Sequence, residues 1–514
     1  MYPGEYARTR PGHPAVIDAR TGEVTDYATL NAQSIRIARL LHDRGFRRGD
    51  HIAILLENTP RHFEIAWAAL RSGLFVTPIS RYLPSKDVAY IVEDCGAQAL
   101  FSSSVLAETV RGLEGLVPGC DTILVAGGDQ CGLPDLDAAL EGVPAKPLDA
   151  EPLGQMMLYS SGTTGRPKGI VRPLLDEPVS AGFPHGYSVQ AFGIDADTVY
   201  LSPAPLYHAA PFAWTLGVQC NGGTVVLLDR FEEELALRSI ERYGVTHSQW
   251  VPTMFVRMLK LPEEVRTRHD LSSHRVAVHA AAPCPVEIKR RMIEWWGPIL
   301  IEYYAGSEGN GRTVIRSDEW LERPGSVGQA NVGIIHICDE DGRELPVGES
   351  GIIYFEQEGE PFAYHNDPDK TRDSRHPRHR NWTTLGDVGY LDADGYLFLT
   401  DRKSFMIISG GVNIYPRIVE DALIVHPDVA DVAVIGVPND EFGEEVKAIV
   451  QPAERDSDRT LLGAELAAFA KANLAGYMVP RSFDFVDELP RLPTGKLNKN
   501  ELKAPYWRDR GRAI

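Results

Sequence analysis

Tyr159-Ser160-Ser161-Gly162-Thr163-Thr164-Gly165-Arg166-Pro167-Lys168-Gly169 gathers hydroxyls, glycines and a lysine directly after the apolar run Met156-Met157-Leu158. Glycine tolerates positive φ, so a short loop of this composition can turn successive N–H groups toward one centre and form an anion nest. The Ser and Thr hydroxyls add donors, and Lys168 adds a compact positive charge able to reach a terminal phosphate. These residue types in this order suit a polyphosphate. The spacing is not that of the common P-loop, G-x-x-x-x-G-K-[ST]. Here the lysine sits between Pro167 and Gly169, and Pro167 and Pro173 oppose a long helix immediately afterwards. A mere flexible connector has no need of a lysine held between proline and glycine.

Further chemistry-bearing groups follow. Tyr304-Ala305-Gly306-Ser307-Glu308 offers a carboxylate beside a hydroxyl and an aromatic ring, and Trp382-Thr383-Thr384-Leu385-Gly386-Asp387 ends on an acid. Asp401-Arg402-Lys403 is a charged interruption, and Pro493-Thr494-Gly495-Lys496 presents a lysine on a turn. In this order, with the loop at 159–169, the set resembles the AMP-forming adenylating enzymes: acyl- and aryl-CoA synthetases, adenylation domains of peptide synthetases, and luciferases. The resemblance covers nearly the whole chain. It implies that a carboxylic acid reacts with ATP to give an acyl adenylate and pyrophosphate, and that the acyl group then passes to CoA. Carboxylate and α-phosphate are both anions, so their repulsion must be neutralised at the moment of attack. The β,γ-phosphates must be held as a leaving group, and water must be kept from the mixed anhydride.

The resemblance distributes these tasks. Ser160, Ser161, Gly162, Thr163, Thr164, Gly165 and Lys168 are implied to hold the phosphates of ATP, with Thr163 acting in the chemical step as well. Lys496, read alone, is a solvated lysine like Lys499 or Lys503; by resemblance it is the catalytic cation that contacts carboxylate and α-phosphate. Glu308 is implied as the Mg²⁺ ligand, an ion that takes one or two carboxylates beside phosphate oxygens and waters. Ser307 is placed as a donor to the α-phosphate and Tyr304 as the ring stacked on adenine. Asp387 and Arg402 are implied to bind the ribose hydroxyls, an acid being suited to accept two vicinal O–H groups. Trp382 reads as core. Leu385 stands where relatives often have threonine, a change in packing more than in chemistry.

The acyl site is implied by Tyr207-His208-Ala209-Ala210-Pro211-Phe212 and His279-Ala280-Ala281-Ala282-Pro283, with Trp250, Tyr303 and Gly306 beside them. His208 is implied as the ring between acyl pocket and thiol channel, with a part in catalysis. Small alanines leave room for a bulky acyl or aryl group, and fatty, aromatic and polycyclic acids all stay open. No aspartate occurs in 206–214, where amino-acid-activating relatives place one to pair with the substrate's amine. Cys284, without a paired base, reads as packing. For CoA, Ser409-Gly410-Gly411 and Phe442-Gly443-Glu444 resemble the pantetheine passage and an aromatic near the CoA adenine. Arg481 is the basic residue offered to the CoA phosphates. Phe405 and Ile418 stand where relatives usually carry acidic residues, so an amine acceptor, giving an amide, is the alternative to CoA. A non-catalytic nucleotide-binding protein on this fold would have lost one of Lys168, Glu308, Asp387, Arg402 or Lys496, and all are present.

Positioning groups so far apart in sequence takes a large scaffold. At 514 residues with 43 % hydrophobic residues, more than one domain is expected. The net charge of −19 argues against general affinity for nucleic acid or acidic membranes, so polyanions must be caught by local groups. No apolar run approaches the roughly 20 residues of a membrane span, and the N-terminus lacks a secretory profile. Six scattered cysteines without a C-x-x-C pair predict reduced thiols in a cytoplasmic protein. Helical spacing over 30–41, a strand over 51–56, Thr59 as N-cap with Pro60 opening a helix over 61–71, and strands at 99–101 and 122–125 predict a doubly wound α/β architecture. Strands at 198–201 and 224–228 and helices at 231–243 and 287–296 continue it. After about residue 325, Gly-punctuated strands at 332–337, 351–355 and 396–399 predict a β-rich subdomain. The polar stretch 400–403 separates apolar strands, and strands at 432–437 and 445–451 with a helix at 464–474 predict a small α+β end. The expected organisation is an N-terminal adenylation domain over 1–400 and a mobile C-terminal domain over 401–514, hinged at 401–404. A homodimer is compatible with the resemblance.

Overall fold

The computed structural model describes residues 2–160, 167–183, 188–402, 405–491 and 497–508. Two compact units divide the chain: 1–250, 260–278 and 361–371 form the first, and 251–259, 279–360 and 372–514 the second.

In the first unit, a parallel sheet runs in the order Thr122–Ala126, Ala97–Ser103, His51–Leu55, Phe75–Pro78, Gln155–Met156. Ile52, Ile54, Leu55, Leu100 and Phe101 are wholly buried, the near-continuous apolar run that a parallel strand covered on both faces requires. Helices Tyr27–Asp43, Pro60–Leu70 and Ser85–Asp94 alternate with these strands. The first of them starts where the Asp26 carboxylate accepts the Thr29 N–H, satisfying an otherwise orphaned donor. Thr59 occupies the cap position before Pro60 but makes no side-chain cap bond; there proline alone, with its fixed φ and no N–H to satisfy, opens the helix.

A second parallel group in this unit runs His247–Trp250, Val199–Ser202, Thr224–Leu227, Pro14–Asp18, with Val24–Asp26 antiparallel at the edge. Strand–helix alternation with parallel pairing is the doubly wound α/β pattern expected. A small antiparallel sheet joins Leu158–Ser160, Lys168–Val171 and Ala363–Tyr364. The segment after Pro167 is therefore a strand and not the long helix that its prolines oppose.

In the second unit, antiparallel strands run in the order Leu300–Ala305, Arg312–Arg316, Ser326–Val332, Leu397–Arg402, Asp387–Leu391, Gly351–Glu356, Ile334–Cys338. Val327, Ile337, Ile353, Phe355 and Leu397 form their core. The single strand expected over 332–337 is two: Gly333, at φ +79°, ends one strand and begins the next. The strand expected over 396–399 continues to Arg402, with Asp401 and Arg402 paired to Val388 and Asp387. Ladder pairing is made by the backbone, so side-chain polarity at a sheet end does not stop it.

The last segment is α+β: strands Ile407–Ser409, Val412–Ile414, Val429–Asn439, Gly443–Pro452 and Ser482–Phe485, with helices Pro416–Leu423, Arg459–Asn473 and Lys499–Trp507. Among the described residues, no helix is long and apolar enough to cross a membrane.

Candidate active site

Strand Leu300–Ala305 carries Tyr303 and Tyr304 toward its end, where alternation turns them to opposite faces. The Tyr304 hydroxyl donates to Asp387 Oδ2 at 2.7 Å, and Asp387 is paired in register with Arg402. Strands remote in sequence thus bring the ring, the acid and the arginine position together. The strand then turns at Gly306. A Cβ there would lie 2.2 Å from Leu385 Cδ1 and 2.9 Å from Glu308 Oε2, so only glycine lets Leu385 and Glu308 close over the strand end. The Gly309 N–H donates to the Gly306 carbonyl at 3.0 Å and completes the turn, which carries Ser307 and leaves Glu308 only 7 % exposed. Leu385 acts here through packing, as expected of its substitution for a hydroxyl residue.

Beside this strand, His279 is fully buried and meets the Phe255 ring edge-on at 5.4 Å. Its Nε2 lies 3.8 Å from Glu302 Oε2, too far for a direct hydrogen bond. Lys289, on helix Val286–Trp296, is also fully buried and places Nζ 2.6 Å from the same Glu302 oxygen. Its ammonium lies 4.8 Å from the Trp320 ring centre. Burial, aided by the Lys289 charge, holds His279 well below the ordinary histidine range, so its imidazole is neutral. Burial, and then the Glu302 carboxylate, push the Cys284 thiol well up, which leaves it a packing group. Ala281 adopts φ +74°, a left-handed conformation that costs a residue with a Cβ. This strain falls within Ala280-Ala281-Ala282, the segment assigned to the acyl site.

In the first unit, Ser160 and Lys168 pair across the strands on either side of the loop expected to hold phosphates; Ser161, Gly162, Thr163, Thr164 and Gly165 lie outside the described residues. Lys168 Nζ sits 3.2 Å from Asp367 Oδ2. The Tyr159 hydroxyl donates to Asp94 Oδ2 at 2.5 Å. Gly169 follows from crowding, because a Cβ there would lie 2.7 Å from Met157 Cε and 3.1 Å from His365 Cβ. His208 precedes helix Ala209–Cys220, its ring 4.3 Å from that of Tyr207. Burial holds its imidazole neutral, with a pKa near 3. Trp250 is 1 % exposed and donates to Ser248 Oγ at 2.5 Å.

In the C-terminal segment, Gly410, at φ +58°, donates its N–H to the Phe442 carbonyl at 2.8 Å. Arg481 lies over the Phe442 ring at 4.4 Å. The residues offered to CoA therefore converge. Phe405 lies beneath the Lys499 ammonium at 5.6 Å, and Ile418 is 40 % exposed. Lys496 lies outside the described residues.

Residues 4–359 match the AMP-binding enzyme family, and residues 418–496 match the AMP-binding enzyme C-terminal domain. The chain belongs to the AMP-binding enzymes. Feruloyl-CoA synthase of Amycolatopsis sp is 33 % identical over 98 % of this chain and 98 % of its own length. The structure of o-succinylbenzoate CoA synthetase from Bacillus subtilis, in complex with its acyl-adenylate intermediate, superposes with a TM-score of 0.79 at 27 % identity, covering 98 % of this chain and 97 % of that one. Amide bond synthetase McbA from Marinactinospora thermotolerans superposes equally well, at 0.79 and 26 % identity over 97 % of this chain and 99 % of its own. This AMP-binding enzyme is accordingly an ATP-dependent ligase that activates a carboxylic acid as its adenylate.

Several groups that position the site escaped the sequence reading. Asn58 is the clearest: its Nδ2 donates to the carbonyls of Ala204 at 3.1 Å and Leu228 at 2.9 Å, and its Oδ1 accepts the Leu206 N–H at 2.9 Å. It pins the segment that leads to His208. Its one readable signal was an amide among turn formers directly after a buried strand. Lys289, Glu302, Asp94 and Asp367 carried no local signal, because each acquires its role from a partner brought in by the fold.

Proposed function

We propose that this AMP-binding enzyme transfers its activated acyl group to CoA, and that the acid is aromatic or similarly bulky. Arg481 lying on Phe442 beside Gly410 carries the CoA reading. A guanidinium and an aromatic face on a glycine-lined turn suit phosphates, a base and a slender thiol arm. Ala280 to Ala282 beside buried His279, and the likeness to feruloyl-CoA synthase, support a bulky aromatic acid over a small polar one.

In this reading Lys496 bridges carboxylate and α-phosphate, and its loss lowers the adenylation rate by roughly 10²–10³. Thr163 and its loop neighbours hold the phosphates with Lys168. Glu308 fits Mg²⁺ in kind, as a hard oxygen donor placed by the Gly306 turn; the ion would neutralise phosphate charge. Asp387 and Arg402 take the ribose, with Tyr304 under the base. Residues 401–514 form the mobile domain that swings Lys496 out and the CoA face in.

An amine acceptor is the second reading. The exposed apolar Ile418 and the likeness to an amide bond synthetase favour it. Pyrophosphate release with Mg·ATP and a panel of carboxylic acids, with CoA, with amines or with neither, tests both. Release that CoA accelerates, with thioester formed, supports the first reading; acid-dependent release indifferent to CoA but completed by an amine sinks it.

A further inference from the structure

We propose that Asp367 is the resting counter-ion of Lys168 and thereby sets how strongly the enzyme favours ATP and pyrophosphate over AMP. The proposal rests on the reading that Lys168 reaches the terminal phosphates.

The two partners differ in freedom. Asp367 is fastened to the strand that bears Lys168. Ala363 and Tyr364 pair with Val171 and Ile170, and the His365 N–H donates to the Gly169 carbonyl at 2.8 Å. Asp367 Oδ1 accepts the Lys370 N–H at 2.9 Å, and its carbonyl accepts the Thr371 hydroxyl at 2.9 Å. The Asn366 amide donates to Asp94 Oδ1 at 3.3 Å, and Asp94 also accepts the Tyr159 hydroxyl. The Lys370 N–H, followed by the Lys168 ammonium, holds the Asp367 carboxyl below its ordinary range, so it is charged at neutral pH. Lys168, by contrast, ends in a compact ammonium on a flexible stem.

Lys168 and Asp367 are 18 % and 35 % exposed, and partly exposed pairs of this kind are weak enough to exchange. A polyphosphate offers several anionic oxygens in charge-assisted hydrogen bonds, so the ammonium transfers to it. The carboxylate, held by its own backbone bonds, stays behind. It competes for the ammonium and repels the arriving phosphate. AMP lacks the phosphates that reach Lys168 and is indifferent to the exchange.

The test is calorimetric binding of Mg·ATP, pyrophosphate and AMP to the full-length wild type, Asp367→Asn, Lys168→Ala and the double variant. Asparagine keeps an oxygen for the Lys370 N–H and removes the charge. Asp367→Asn is expected to bind ATP and pyrophosphate about twofold to fivefold tighter, with AMP unchanged, and the gain vanishes without Lys168. Asp367→Ser, which also keeps an acceptor without the charge, gives the same result if charge is the cause. Weaker or unchanged ATP binding in both Asp367 variants, or a gain that persists without Lys168, overturns the proposal. If Lys168→Ala alone leaves ATP binding unaltered, the phosphate role of Lys168 fails first and the proposal fails with it.

Discussion

The hydroxyl of Tyr304 is bonded to Asp387, so the ring expected under adenine also aims the acid expected at the ribose. Tyr304→Phe keeps the ring and removes the bond. The expected result is a KM for ATP raised about threefold to tenfold, the range of an ordinary net hydrogen bond of about 0.5–1.5 kcal/mol, with the thermal midpoint little changed. An unchanged KM in pyrophosphate-release assays would show that Asp387 is aimed by other groups. Lys289 illustrates the opposite case. Lys289→Met strands the buried Glu302 carboxylate, a loss on the order of 3–5 kcal/mol. A fall in thermal midpoint that Glu302→Gln partly reverses in the same background is the expected signature. Neither partnership was legible in the sequence. Helix Val286–Trp296 carries charges at 287, 289, 290, 291 and 294, and which of them turns inward depends on Glu302 and Trp320 arriving from other elements.

At the scale of elements, the buried parallel strands His51–Leu55, Val199–Ser202 and Thr224–Leu227 stand where apolar runs placed them. The departures have physical causes. Gly333 read as punctuation within one strand, yet its positive φ ends one strand and starts a second with other neighbours. Gly333→Ala forces a left-handed residue and sets a Cβ 2.9 Å from the Glu356 carbonyl. A destabilisation of about 1–3 kcal/mol follows, visible as a lower midpoint in thermal unfolding. Asn58 ties a turn after strand His51–Leu55 to the segment before His208. Asn58→Ala leaves the Ala204 and Leu228 carbonyls and the Leu206 N–H without their partner, each worth about 1–3 kcal/mol if left unsatisfied. Reduced stability with a raised KM for the acid is expected; a raised KM for ATP alone would contradict this placement.

Across the whole molecule, buried neutral histidines tie stability to pH. Burial holds both His62 and His274 down to about 3, and they are 1 % and 5 % exposed. Their folded values lie below the unfolded value of about 6.5. The stability they contribute is therefore complete above about pH 6.5 and declines as pH falls toward 3, because the unfolded chain takes up protons that the folded chain refuses. Each contributes a slope of up to about 1.4 kcal/mol per pH unit in that window. Thermal midpoints are expected to fall between about pH 7 and about pH 5, and His62→Leu should flatten the decline. A midpoint indifferent to pH over that range would count against burial of both rings.

The sequence by itself determined the family and the α/β class, and it supplied the residues proposed for the nucleotide. Those signals are local: a glycine where a Cβ would collide, a lysine between proline and glycine, an acid at a fixed distance from a tryptophan. Tertiary structure decided what holds them. The Tyr304–Asp387 bond, the Lys289–Glu302 pair, the Asn58 clamp and the Asp367 counter-ion each join residues that only folding brings within reach. Burial then gives the Lys289–Glu302 pair and the Asn58 clamp their force, since a desolvated charge or amide must be matched by whatever partner the fold supplies.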